Sequence, residues 1–299
     1  MSTTDTTKGY QQMIVITGAT GRLGSQVVER LLTKVPAGQI GVSVRDAGKA
    51  AGLAARGVRV REGNFSDPAS LALAFEGAER VLVVSSNDSG ADAETQHKAA
   101  INAARAAGAE RVFYTSHQAC AADSEFIPML DHAATERYLA AEGGKFTSLR
   151  NGFYASTVPM LIGQALETGT IVAPADGPVS WTAHADLAEA AAILLTSENP
   201  FDGATPPLTA PDALDLKAVA EILSELTGRT ITRVVAEDDE WRAAQVGQGR
   251  SEFEAEFTLG LFRASRRGEF AATDPALGKL LGRPATPLRS LLEEVVAGR

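Results

Sequence analysis

The sequence predicts an α/β protein built on a doubly wound parallel sheet, with a smaller C-terminal lobe that closes over the sheet edge. Three observations predict it. Short β-branched runs alternate with helical stretches from Met13 to about Arg150. A glycine-spaced turn stands directly after the first run and opens the first helix. Beyond Arg150 the alternation loosens, with proline joints at Pro174, Pro178, Pro200, Pro206, Pro207 and Pro211.

The runs are Met13–Ile16, Ile40–Val44, Val58–Val60, Val81–Val84, Val112–Tyr114 and Phe146–Leu149. They are short and mostly uninterrupted by polar residues, the pattern of parallel strands buried on both faces. Between the first two, Leu23, Val27, Val28, Leu31 and Leu32 form one apolar helical stripe. The stretch Ala99–Ala107 is an alanine-rich crossover that ends in Gly108. In the second half, a helix over about Ala185–Leu195 is expected to pack back on the sheet. Another, over Asp215–Leu226, carries Leu216, Val219, Ala220, Leu223 and Leu226 on one face and stops at Gly228. Ser251–Phe270 is aromatic and charged, with Arg263, Arg266 and Arg267 expected on a solvated face. The implied organisation is a flexible N-terminus over 1–12, a dinucleotide-binding domain over 13–155, and a mixed α/β lobe over 156–299 with segments returning to the core.

Composition narrows the function classes. Acidic residues outnumber basic ones by 37 to 28, for a net charge of −9. No general basic field therefore draws nucleic acid or an anionic membrane, and neither is expected as a partner. The one cysteine, Cys120, excludes an internal disulfide and any paired-cysteine metal or redox motif. Four scattered histidines offer no metal-ligand spacing, so no metal is expected. The first twelve residues lack the apolar core of a signal peptide, and no apolar run reaches the length of a membrane span. A cytoplasmic protein acting on a small molecule is the expectation, with a homodimer left open.

The turn Thr17-Gly18-Ala19-Thr20-Gly21-Arg22-Leu23-Gly24 carries the strongest chemical signal. Gly18 allows the tight turn, Gly21 lets a diphosphate approach the backbone, and Gly24 lets helix and strand pack closely. The helix start then offers N–H groups and a positive dipole to the diphosphate. Thr20, Arg22 and Leu23 share this turn and join the expected cofactor contacts. Arg45 ends the second strand 21 residues beyond Gly24, where an arginine suits the 2′-phosphate of NADP(H), and Lys49 adds a second cation. Asp46 is either a ribose ligand or a helix cap. Asn64 and Phe65 follow strand three on the adenine side, where Asp67 before Pro68 reads as a cap. Ser85, Ser86 and Asn87 follow strand four, and Thr115 and Ser116 close strand five; all are expected along the cofactor's path.

With GATGRLG, VSVRDAGKA, GNFSDPASL, VLVVSSN, VFYTS, LRNGFY and HADLAEAAA together, the chain resembles the NmrA-like branch of the short-chain dehydrogenase/reductase superfamily, and within it bacterial NADPH-dependent quinone oxidoreductases. The resemblance implies an NADP-binding Rossmann domain under a small substrate-covering lobe. The superfamily's usual acid is a tyrosine with a lysine four residues on. Here Tyr10, Tyr114, Tyr138 and Tyr154 are followed at that spacing by Ile14, Gln118, Glu142 and Val158. The corresponding helix instead carries His132 and Glu136 at i, i+4, a pair that resembles the quinone reductase variant. With Tyr154 they are the candidate catalytic residues. His117 after strand five, and Asn151, Phe153 and Tyr154 after strand six, are the candidate acceptor contacts. Without a Tyr/Lys pair, an electron-poor conjugated acceptor is expected: a reduced quinone is a phenol-like oxygen with pKa of about 10, far easier to form than an alkoxide. Two other readings stay open, an NADP(H) redox sensor with poor turnover and an azo or triarylmethane dye reductase.

Overall fold

The computed structural model describes residues 12–86 and 90–298. The expected flexible N-terminus lies, up to residue 11, outside the described residues, as does Asn87. A seven-stranded parallel sheet forms the centre, from β1 (Ile14–Thr17), β2 (Ile40–Val44), β3 (Arg59–Glu62), β4 (Arg80–Val83), β5 (Arg111–His117), β6 (Lys145–Asn151) and, after a separate strand β7 (Thr170–Pro174), the two-residue β8 (Gly203–Ala204). Their order is β3-β2-β1-β4-β5-β6-β8, so the connection reverses between β1 and β4. Ligands of doubly wound sheets bind in the crevice at that reversal, outside the carboxyl ends of the strands.

The helices of the first half are α1 (Arg22–Leu32), the short α2 (Ala51–Ala54), α3 (Pro68–Phe75), α4 (Ala91–Ala106) and α5 (Ile127–Ala141). α1 buries Leu23, Val27, Val28 and Leu31, four residues of the apolar stripe. Asp67 caps α3 by accepting from the N–H groups of Ala69 and Ser70. Strands five and six run further than their apolar runs suggest. Ser116 pairs with Arg150 and His117 with Asn151, so Ser116, His117 and Asn151 are the last rungs of the ladder rather than loop residues. Polar residues at these rungs hid the extension, because the apolar signal stops before them.

The second half adds α6 (Val158–Ile162), α7 (Ala165–Thr168), α8 (His184–Thr196), α9 (Leu216–Thr227), β9 (Thr232–Ala236), α10 (Asp238–Gly247), α11 (Glu252–Arg266), α12 (Ala276–Leu281) and α13 (Leu288–Ala297). α9 starts on an Asp215 cap and stops at Gly228, at φ 65°. β7 and β9 form their own parallel pair. Later chain segments return to the sheet layer: α8, whose Leu187, Ala191, Leu194 and Leu195 join the core of α1, β1 and β2, α12 through Ala276 and Leu277, and β8 at the sheet edge. Arg80, at the foot of β4, fixes the end of α8 by donating to the carbonyls of Leu195 and Ser197, both at 2.7 Å. A second core lies in the other lobe, with Phe126, Phe153, Trp181, Phe262 and Phe270 among its members. The arginines at the end of α11 do not form a plain solvated face. Arg263 and Arg266 pair with Asp238, and Arg267 reaches Glu125 and Glu269, stitching α11 to α10 and to the segment before α5. Their partners lie up to 142 residues away in sequence, which local spacing cannot reveal. Among the described residues no helix is long and apolar enough to cross a membrane.

Candidate functional site

The carboxyl ends of β1 to β6 converge on one edge. Gly18 holds φ at +62°, a conformation side chains rarely adopt, and its carbonyl accepts from the Gly21 N–H at 2.9 Å. A Cβ on Gly24 would run into the Gly18 carbonyl and the Ala19 backbone, so α1 seats directly on the turn. Gly21 differs: its φ of −84° suits any residue, and a Cβ would stand 3.2 Å from the Gly18 carbonyl. That contact is tight and Gly21 is the N-cap of α1, but the backbone there does not demand glycine as it does at Gly18 and Gly24. No side chain caps α1 and its first turn carries no acid, so its leading N–H groups face outward beside exposed Thr20, Gly21 and Arg22. This cradle fits a diphosphate. Leu23 buries its side chain and has only a backbone N–H to offer.

Arg45 and Lys49 are exposed just beyond β2. Asp46 turns its carboxylate into its own turn, accepting from the Gly48 N–H at 2.9 Å. Beyond β3, the Asn64 amide oxygen likewise accepts from Ser66 N–H at 3.1 Å, and Phe65 is half-buried against the core on the α3–α4 side.

The stretch after β4 is strapped from both sides. Val84 N–H donates to Thr17 Oγ1 at 2.9 Å, and Ser85 N–H to Thr115 Oγ1 at 2.8 Å. Thr115 thus sits buried beneath this segment, holding Ser85. Ser86 N–H donates to His97 Nε2 at 2.9 Å, and Gly90 N–H to Asp131 on α5 at 2.9 Å.

These bonds fix the imidazoles beyond. With Nε2 of His97 accepting, its proton sits on Nδ1, 2.9 Å from Thr135 Oγ1 and 3.3 Å from the Tyr114 oxygen. Thr135 donates onward to the Asp131 carbonyl. The Tyr114 hydroxyl lies 2.7 Å from His132 Nδ1, and when it donates there His132 carries its own proton on Nε2. Burial, with His97 nearby, lowers the His132 pKa to about 3, so it is a neutral imidazole at physiological pH. His117 stacks near His132, with ring centres 6.3 Å apart, and burial holds its pKa well below the usual value. Glu136 turns to Arg150 instead of His132: the guanidinium meets both carboxylate oxygens, at 3.1 and 2.6 Å, and Ser148 donates to one of them. These hydrogen bonds outweigh burial and lower its pKa.

Phe153 and Tyr154, adjacent in sequence, part company. Tyr154 stacks on His184, with ring centres 4.2 Å apart, and Arg22 contributes to the low pKa of that histidine, about 4, set chiefly by burial. It borders the glycine turn, and Asn151 lies buried beside its hydroxyl. Phe153 faces the other lobe, edge-on to His117 at 5.3 Å, and lines a 310 Å³ cavity with Phe126, Phe257, Met160 and Leu261. Of these five, the sequence singles out Phe153; Phe257 and Leu261 lie in the aromatic and charged stretch Ser251–Phe270, and Phe126 and Met160 carry no local signal. Ser116, nearly fully buried, adjoins Glu136 and Cys120 on the opposite side of the ladder. A larger hollow of 680 Å³ lies between α12 and residues 209–211 and shares no lining residue with this edge.

Comparison with known proteins gives concordant findings. The model of the NmrA-like family matches residues 10–256. The chain is 36% identical to quinone oxidoreductase 2 of Escherichia coli (strain K12), over 92% of this chain and 96% of that protein. The crystal structure of the NADPH-dependent quinone oxidoreductase QOR2 from Escherichia coli, complexed with NADPH, matches at a TM-score of 0.89 and 33% identity, covering 95% of this chain and all of that one. Citrobacter sp. triphenylmethane reductase, complexed with NADP(H), matches at 0.84 and 34% identity, covering 94% and 99%.

Proposed function

The chain belongs to the NmrA-like family, and from that premise we propose that it is an NADPH-dependent oxidoreductase acting on a quinone or a similar conjugated, electron-poor acceptor. The observation that carries this reading is the aromatic cavity, free of charged walls, whose Phe153 packs edge-on to the neutral His117, with the neutral His132 next to it. The quinone and triphenylmethane reductases among its relatives support the acceptor class. In this reading residues 13–155 hold the cofactor and residues 156–299 cover the acceptor. A cytoplasmic setting suits the single thiol of Cys120, and a homodimer is the assembly to be tested by sedimentation.

The cofactor, when bound, supplies the hydride; the chain's residues bind, orient and exclude water. The glycine turn and the start of α1 take the diphosphate. Phe153 and its neighbours hold a flat ring and keep water from it. His132 acts as a neutral donor through Nε2–H, with Tyr114 fixing its tautomer, and the electron-rich oxygen of the reduced acceptor takes its proton in the end from solvent. Glu136 steadies α5 against β6 through Arg150, and Tyr154 borders the cofactor cleft.

The test is NADPH oxidation with p-quinones set against aliphatic ketones. Turnover is expected with the first and little or none with the second; robust ketone reduction would overturn the reading, and binding of NADP(H) without any turnover would favour the sensor. His132→Ala is expected to lower quinone turnover about tenfold, in line with the loss of one hydrogen-bond donor. Because the His132 imidazolium forms only near pH 3, kcat/KM should show no histidine inflection between pH 6 and 8; a clear step near 6.5 would contradict a neutral donor.

Cofactor choice gives a separate expectation. An arginine–phosphate contact contributes roughly 1.5–3 kcal/mol, so NADPH should be preferred about ten- to a hundredfold. Arg45→Ala should erase most of that by weakening NADPH alone, and Lys49→Ala should do less. Asp46→Ala should leave NADH use nearly unchanged, since its carboxylate is committed to Gly48 N–H. A wild-type preference for NADH would reverse the assignment.

A further inference from the structure

The cavity beside Phe153 does not end at its walls. Along α11, Phe253, Phe257 and Leu261 recur every four residues and so share one helix face. Their exposure falls in steps towards the interior: Phe253 is 61% exposed, Phe257 half-buried, and Leu261 4% exposed. The Phe253 and Phe257 rings lie 6.1 Å apart, and Phe257 meets Phe126 at 4.9 Å. Across the cavity Met160, on α6, is 47% exposed. The result is an apolar track from solvent to the cavity floor. The polar residues that line the cavity itself are Ser156, Thr157 and the buried Thr258.

A volume of 310 Å³ stands at the small end of ligand pockets, enough for a ring system and little more. Exposed aromatic surface continuous with such a pocket marks where a ligand continues. An ionised substituent would lose its hydration there and find no opposite charge. We propose that the acceptor is neutral and carries an apolar side chain that leaves the cavity along the Phe257–Phe253 track. This rests on the proposed acceptor site and adds the class of acceptor that fills it.

The experiment uses 2,3-dimethoxy-5-methyl-1,4-benzoquinone bearing no, one or two isoprenyl units. Each is assayed for NADPH-dependent turnover and, separately, titrated against tryptophan fluorescence, since Trp181 packs on Phe153 with ring centres 5.5 Å apart. The first isoprenyl unit is expected to raise both affinity and kcat/KM about tenfold. Phe253→Ser, a change at an exposed position, is expected to cut the ratio of tailed to untailed kcat/KM by about threefold or more. A ring sulfonate should bind at least about tenfold more weakly than the 2-methyl analogue of the same naphthoquinone. Equal affinity across the isoprenyl series, an unchanged ratio in Phe253→Ser, or equal binding of the sulfonate would each overturn the inference. The two readings fail separately: tail-dependent affinity without turnover removes the proposed reaction and keeps the track, while turnover without tail dependence does the reverse. If Phe253→Ser instead converts a dimer to a monomer with the ratio unchanged, a second copy covers the track and the inference falls.

Discussion

Between pH 7 and pH 5.5 the protein is expected to lose several kcal/mol of stability, before most carboxylates begin to titrate. The cause lies in its four histidines. Burial lowers the pKa of His97 to about 4, of His132 to about 3 and of His184 to about 4, and holds His117 well below its usual value. In the unfolded chain all four return to about 6.5. A base whose folded pKa is depressed stabilises the fold fully above the unfolded value, and that contribution drains away as pH falls below it. One pH unit below 6.5, each histidine takes up nearly a full proton only on unfolding, at about 1.4 kcal/mol apiece. Against a typical total of roughly 5–15 kcal/mol, the sum is large. Urea unfolding at pH 7.5, 6.5 and 5.5 should show a midpoint that collapses over this range. His97→Gln can keep an acceptor for Ser86 N–H and should remove about a quarter of the slope. A midpoint flat to pH 5 would mean that the imidazoles are solvated and the neutral-donor reading of His132 is wrong.

Gly21 and Gly24, three residues apart in sequence, should fail in opposite ways when given side chains.

 

Gly24→Ala drives a Cβ into the Gly18 carbonyl, backbone against backbone, and neither side can yield without lifting α1 off the turn. A cost of about 1–3 kcal/mol in stability is expected, with cofactor affinity lost as a consequence. Gly21→Val places its Cβ 3.2 Å from the Gly18 carbonyl, a tight contact, in a backbone conformation open to any residue. Its melting temperature should fall only modestly, by the loss of a favourable N-cap worth about 1 kcal/mol. Its NADPH affinity should nevertheless fall about ten- to a hundredfold, the worth of a charge-assisted contact between backbone N–H groups and phosphate. Calorimetric titration beside a melting curve reads both quantities on each variant. If Gly21→Val binds NADPH as the wild type does, the diphosphate does not lie on this turn. If Gly24→Ala melts normally, α1 does not seat as closely as its backbone contacts require.

The sheet was legible because parallel strands covered on both faces must be apolar along their whole length, and each of the first six left a β-branched run. The glycine turn was legible for a similar reason: its constraints are local, set by one φ angle, one close approach and one exposed helix start. Legibility faded wherever a strand became polar. Only Val58, just before it, and Val60 announced β3, whose other residues are Arg59, Arg61 and Glu62, and the last rungs of β5 and β6 passed for loop. The β7–β9 pair gave no usable period, since Val172, Val234 and Val235 are all exposed, and its two strands lie about sixty residues apart.

By itself, the sequence determined the doubly wound parallel sheet, the glycine turn that opens α1, the cations after strand two, and the lack of a Tyr/Lys pair. Tertiary structure decided which side chains meet. The i, i+4 spacing put His132 and Glu136 on one stretch of helix, yet packing gave His132 to Tyr114 on β5 and Glu136 to Arg150 on β6. Adjacent Phe153 and Tyr154 went to different lobes, and the cavity drew Phe126, Phe153 and Phe257 from three separate elements. The physical reason is range. Periodicity and turn chemistry record what each residue needs from its immediate neighbours along the chain, whereas a hydrogen-bond partner or a cavity wall is chosen by the burial of whole faces against one another.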